Sequence, residues 1–131
     1  PYVSIEDSIL DYQGGPGRNK TSLRAHTRHL GVYRSILARG TVGLGNIDFD
    51  TTSYRDYCFD GCVIRFDSSP PSIIQAITIF ENAGRIVFRT SLIEKDMEVQ
   101  SGLISIQDNA DGGASAFSGL RLYNVSVLPS P

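Results

Sequence analysis

The chain has 131 residues, 40% of them hydrophobic and 20% charged, a balance that buries a core and excludes a disordered polymer. At this length one domain spanning residues 1–131 is expected, with no need of a metal or several bridges to hold it. No apolar run approaches the roughly 18 residues of a membrane-crossing helix. The formal charge of -2 hides a strong asymmetry. From Tyr12 to Ile47 the chain holds Arg18, Lys20, Arg24, Arg28, Arg34 and Arg39 and no acid, so the remainder is acidic.

The chain opens on Pro1, as a processed precursor or an excised domain would. Val3-Ser4-Ile5-Glu6-Asp7-Ser8 alternates apolar and polar residues and then closes on an acid with a small polar side chain. The same plan returns at Ile77–Asn82 and Ile104–Asn109, and in a related form at Ile47–Thr52 and Ile64–Ser69. Each unit predicts a short strand ending in a turn set by Asp, Asn, Ser or Thr side chains. The spacings between successive units look too uneven for a solenoid repeat.

Between the first units lies Gly14-Gly15-Pro16-Gly17-Arg18, a flexible or phosphate-cradling loop without the spacing of a nucleotide-binding motif. Leu23, Leu30, Tyr33 and Leu37 then recur at steps of seven, three and four, which predicts a helix within 21–39 capped by Ser22 or Thr21 and stopped at Gly40. Cys58 and Cys62 enclose Asp60-Gly61, and a chain reversal there would bring the sulfurs together as a disulfide. Asn82-Ala83-Gly84 predicts a hairpin turn between the strands around Ile79 and Ile86. A last strand, Leu120–Val127, carries apolar residues on both faces, as an interior strand does. The expected fold is therefore mainly β, an antiparallel β-sandwich or compact barrel with one short helix.

Three chemistries compete for the basic stretch. Arg18, Arg24, Arg28 and Arg34 suit bidentate contact with carboxylate or phosphate, with Tyr54 and Tyr57 offering faces for a sugar ring beside Asp56 and Asp60. His26 and His29, one helical turn apart, could act as acid and base in a ribonuclease-type hydrolysis. The same cations could instead dock an assembly subunit onto a neighbour's acidic face. Sustained wrapping of nucleic acid fits the acidic remainder poorly. No cofactor motif is present; Asp108, Asn109 and Asp111 could hold calcium if Glu6, Asp7 or Asp67 converges on them. Two glycosylation sequons, at Asn19 and Asn124, and the cysteine pair suggest a secreted or extracellular protein. The leading expectation is a non-catalytic binding protein for an anionic or glycan ligand. Self-association through basic and acidic faces is a further expectation.

Overall fold

A computed structural model describes residues 2–11, 21–25, 27–38, 40–45, 55–66, 72–73, 77–80, 84–95, 98–99, 104–107 and 119–129. Every strand pairing among them is parallel, and no helix occurs among them. The chain winds through five successive coils, each laying one strand on each of two to four sheets. Sheet A holds β1 (Tyr2–Glu6), β4 (His29–Tyr33), β7 (Asp56–Asp60), β11 (Arg85–Arg89) and β15 (Gly119–Tyr123), in that order. Sheet B follows in each coil with β2 (Ile9–Asp11), β5 (Ile36–Ala38), β8 (Val63–Phe66), β12 (Leu92–Lys95) and β16 (Ser126–Pro129). Sheet C holds β3 (Thr21–Ala25), β6 (Thr41–Leu44), β10 (Ile77–Phe80) and β14 (Ile104–Gln107). A two-strand strip, β9 (Ser72–Ile73) with β13 (Glu98–Val99), joins the third and fourth coils.

This architecture is a parallel β-solenoid, and it overturns the antiparallel sandwich or barrel and its helix. The apolar positions within 21–39 recur because two strand alternations are separated by a corner, not because they share a helical face. Leu30 and Val32 point inward from β4, the chain turns at Arg34-Ser35, and Leu37 points inward from β5. Strands β10 and β11 do not form the hairpin expected around Asn82–Gly84, since they belong to different sheets. The sequence around Asn124 is two strands rather than one, with Asn124 exposed at the corner between them. A solenoid also proves compatible with uneven spacing. Sheet A strands begin at 2, 29, 56, 85 and 119, and the length differences are absorbed between strands while register within the sheet is kept.

The core consists of columns of matched side chains stacked along the solenoid. Val32, Phe59 and Phe88 form one column; Leu37, Ile64 and Ile93 form another; Val42 and Ile77 sit on the third wall. The rings of Phe59 and Phe88 stack with centroids 4.7 Å apart and planes 13° from parallel. In a parallel sheet in register, a residue's neighbour on the next strand is its own counterpart, so like packs on like.

The corner between sheets A and B repeats in every coil. Asp7, Arg34, Gly61, Thr90 and Asn124 each occupy it with φ between 48 and 68°. Four of these five lack the freedom of glycine, and holding such residues in the left-handed region costs about 1 kcal/mol or more each. The neighbouring coil offsets that strain. The amide of Asp7 donates to the Tyr33 carbonyl, that of Arg34 to Asp60, that of Gly61 to Arg89 and that of Thr90 to Tyr123, all within 2.9–3.1 Å. One residue on, Ser35 and Ser91 turn inward. Ser35 Oγ donates to the Tyr33 carbonyl and accepts from the Ser8 amide; Ser91 Oγ donates to Arg89 and accepts from the Cys62 amide. The exposed Arg34 side chain reaches back to Asp7 at 2.8 and 3.2 Å and holds that carboxyl below its ordinary value.

The corner also rules out the expected disulfide. Asp60-Gly61 does turn the chain, but through one edge of the coil and not back on itself. Cys58 consequently faces outward from β7 while Cys62 is buried inside the next corner, and both thiols are free. Burial pushes the Cys62 thiol up from its ordinary value. In the folded protein a thiol reagent should label Cys58 quickly and Cys62 only on unfolding; two fast-reacting thiols, or none, would contradict the placement. Phe88→Ala should lower unfolding stability by about 3–5 kcal/mol, read by urea denaturation, because it removes one of the two stacked rings of the column.

Candidate functional site

Period-two alternation on sheet A sends the second and fourth residues of each strand into the core and the first, third and fifth outward. The unbroken register then aligns the outward side chains in three rows running across the sheet. The first row is Tyr2, His29, Asp56, Arg85 and Gly119. The middle row is Ser4, Gly31, Cys58, Val87 and Arg121, and the last is Glu6, Tyr33, Asp60, Arg89 and Tyr123. With strands about 4.8 Å apart, each row extends roughly 19 Å. Between the flanking rows lies an open groove of about 380 Å³.

Small middle-row residues make the groove. Gly31 is the plainest case, because a Cβ there would collide with Cε2, Cζ and Oη of Tyr33, whose ring lies across the glycine. The Tyr33 hydroxyl meets that of Tyr2 at 3.2 Å. This hydrogen bond, with partial burial, keeps the Tyr33 phenol neutral and pushes its pKa up to about 12.

Arginines occupy the other half of the face, and Arg85 and Arg89 are placed by the adjoining strand. Arg85 Nε donates to Asp56 at 3.1 Å, Arg89 Nε lies 3.5 Å from Asp60, and Arg89 Nη2 lies 3.3 Å from the Cys58 sulfur. These are solvent-facing pairs that contribute little to stability, but they fix the direction of two guanidinium forks. No ion pair joins Arg121 to another described residue. The groove lining holds Arg85, Arg89 and Arg121 against the carboxylate of Asp56, with Asp60 beside Arg89 in the last row. Both Asp56 and Asp60 face an arginine. That arrangement orients the two guanidinium groups.

The residues expected from sequence are dispersed by the winding. Arg24 points outward from β3 on sheet C, Arg28 stands just before β4, and Arg34 occupies the corner between sheets A and B, so the linear basic stretch wraps around a coil. Tyr57 is buried and directs its hydroxyl to the carbonyls of Thr27 and Ala25, which removes it as a sugar platform. Asp56 and His29 do reach the groove, in neighbouring strands of one row. Arg18, His26, Tyr54, Asp108, Asn109 and Asp111 lie outside the described residues. As for calcium, among the described residues no three His, Cys, Asp or Glu side chains gather as a metal set, and Glu6 and Asp7 instead serve Arg34. Exposed acids and bases do form surface ion pairs from coil to coil, which leaves contact with other charged surfaces open to this protein. Among the described residues no helix is long and apolar enough to cross a membrane.

Sequence reasoning missed Tyr2, Tyr33, Arg85, Arg89, Arg121 and Tyr123. The signal that would have found them is the corner repeat, in which Asp7-Ser8-Ile9-Leu10 matches Arg34-Ser35-Ile36-Leu37 one coil later. Aligning on it stacks the preceding strands and exposes the rows. No family model, no curated protein and no solved structure matches the chain, so its site is defined by geometry alone.

Gly31→Ala should lift the Tyr33 ring and break its contact with Tyr2. The Tyr33 phenol should then titrate closer to 10 than to 12 in an ultraviolet pH titration. In the unaltered protein the unfolded phenol ionises first, so the contribution of Tyr33 to stability is complete below pH 10 and is lost as pH rises toward 12.

Proposed function

We propose that the outer face of sheet A binds an extended acidic glycan, without catalysis. The observation that carries this reading is the in-register combination of tyrosines at the two ends of one groove with oriented arginines between them. Tyrosine rings lie against sugar faces and keep a hydroxyl for hydrogen bonding. Guanidinium forks match the two oxygens of a carboxylate. An open groove lying across several strands suits a polymer better than a compact metabolite, which is usually enclosed on most sides. This keeps the anionic or glycan ligand expected from the sequence and moves its contacts from the basic segment to the sheet. A secreted or extracellular setting accords with such a ligand.

Affinity electrophoresis tests the proposal with polygalacturonate as the acidic probe and dextran as the neutral one. The protein should be retarded by polygalacturonate alone, and the retardation should weaken with salt. Arg85→Gln and Arg121→Gln should each reduce affinity about tenfold, the loss of one charge-assisted contact. Equal behaviour in both gels would overturn the proposal. So would retention that survives both groove substitutions but disappears with Arg24→Ala, which lies on another sheet.

A further inference from the structure

Among the described residues the large exposed apolar side chains are confined to the two ends of the solenoid. All seven large hydrophobic residues exposed among those described, Tyr2, Val3, Ile9, Leu122, Tyr123, Val127 and Leu128, belong to the first and last strands of sheets A and B. These strands are also the sheet edges: among the described residues nothing pairs with the outer side of β1, β2, β15 or β16. Several of the exposed groups are core positions left without a next layer. Leu122 continues the column of Val32, Phe59 and Phe88 yet is 50% exposed, and Val127 continues that of Leu37, Ile64 and Ile93 at the same exposure. Unpaired edges that end in apolar side chains are templates for another strand.

We propose that a second copy of this chain covers them, stacking head to tail so that β15 and β16 of one copy pair with β1 and β2 of the next. The two ends are complementary in three independent ways. Their backbones share a register, because Asn124 and Asp7 occupy the same left-handed corner. Aligning these corners sets Leu120 on Val3, Leu122 on Ile5 and Val127 on Leu10, and the core columns of sheets A and B run on unbroken. Their sequences differ in charge: residues 2–11 carry Glu6, Asp7 and Asp11 with no cation, Glu6 and Asp7 facing Arg34 of the next coil, whereas residues 119–129 carry Arg121 with no acid. Pairing of like ends would run the strands antiparallel and bring Arg121 toward its own copy. Head-to-tail contact is heterologous and does not close on itself, so it yields an open series rather than a dimer.

Sedimentation velocity of the full chain over a wide concentration range tests this. Species at successive multiples of 14.3 kDa should grow with concentration. Leu122→Lys with Val127→Lys disables one end, and Val3→Lys with Ile5→Lys disables the other; each double variant alone should remain a monomer. Mixed, they should form a pair that grows no further, since one intact end of each kind is present. Far-ultraviolet circular dichroism checks that both keep the β fold. A gentler variant guards against misfolding: Arg121→Glu should suppress assembly, and Glu6→Arg added to it should restore assembly. A chain that stays monomeric at every concentration would overturn the proposal, as when the ends are covered by some other segment or partner. Association that stops at two copies of the unaltered chain would overturn it equally.

Discussion

The structure depends on hydrogen bonding between consecutive coils at a corner whose backbone is unfavourable in isolation. Arg34 and Thr90 have no local reason to adopt a left-handed conformation. They do so because their amides meet carbonyls of the adjacent coil, and because Ser35 and Ser91 seal the corner from inside. Once the corners are superposed, strand register on sheets A and B follows. Once register is set, inward side chains form columns and outward ones form rows. The core and the groove are therefore consequences of the same constraint, on opposite faces of one sheet.

Much of the strand content was legible in the sequence. Alternation at Val3–Ile5, Ile64–Phe66, Ile77–Phe80 and Ile104–Gln107 marks β1, β8, β10 and β14, and the polar turn at Asp7-Ser8 is read correctly as the place where β1 stops. The direction of pairing was not legible. Alternation states which face a side chain takes, not whether its neighbour runs with it or against it, and short strands with polar turns usually indicate hairpins. The decisive cue was the corner, and its residues disguise it. An αL position filled by Asp, Arg, Gly, Thr and Asn in turn shares no side chain, and only the glycine and asparagine advertise the conformation. The conformation is imposed from the next coil, a full turn of the solenoid further along the chain.

The same reason separates the expected site from the observed one. A run of cations in the sequence suggests a patch, but a chain that turns a corner every few residues spreads that run over several walls. Arg24, Arg28 and Arg34 end on different sides, while Arg85, Arg89 and Arg121, distant from one another in sequence or split by an inward residue, share one face. Tyr57 shows the converse. It stands in an aromatic and acidic cluster with the composition of a sugar site, yet its position in β7 is an inward one, and its ring is buried while its neighbours Asp56 and Cys58 face the groove. In a solenoid, residues cooperate when they are one coil apart.

The register of sheet A is the claim on which both the groove and the core columns rest, and a second thiol tests it directly. Val87 is the counterpart of Cys58 on the next parallel strand, so Val87→Cys would place two outward thiols about 5 Å apart. A short reagent that alkylates two thiols should then link the introduced cysteine to Cys58 within one chain, identified by mass after proteolysis. Phe88→Cys, one residue on and facing the core, should give no such link. Efficient linkage from position 88, or none from position 87 in a folded protein, would contradict the parallel register and the surface built on it.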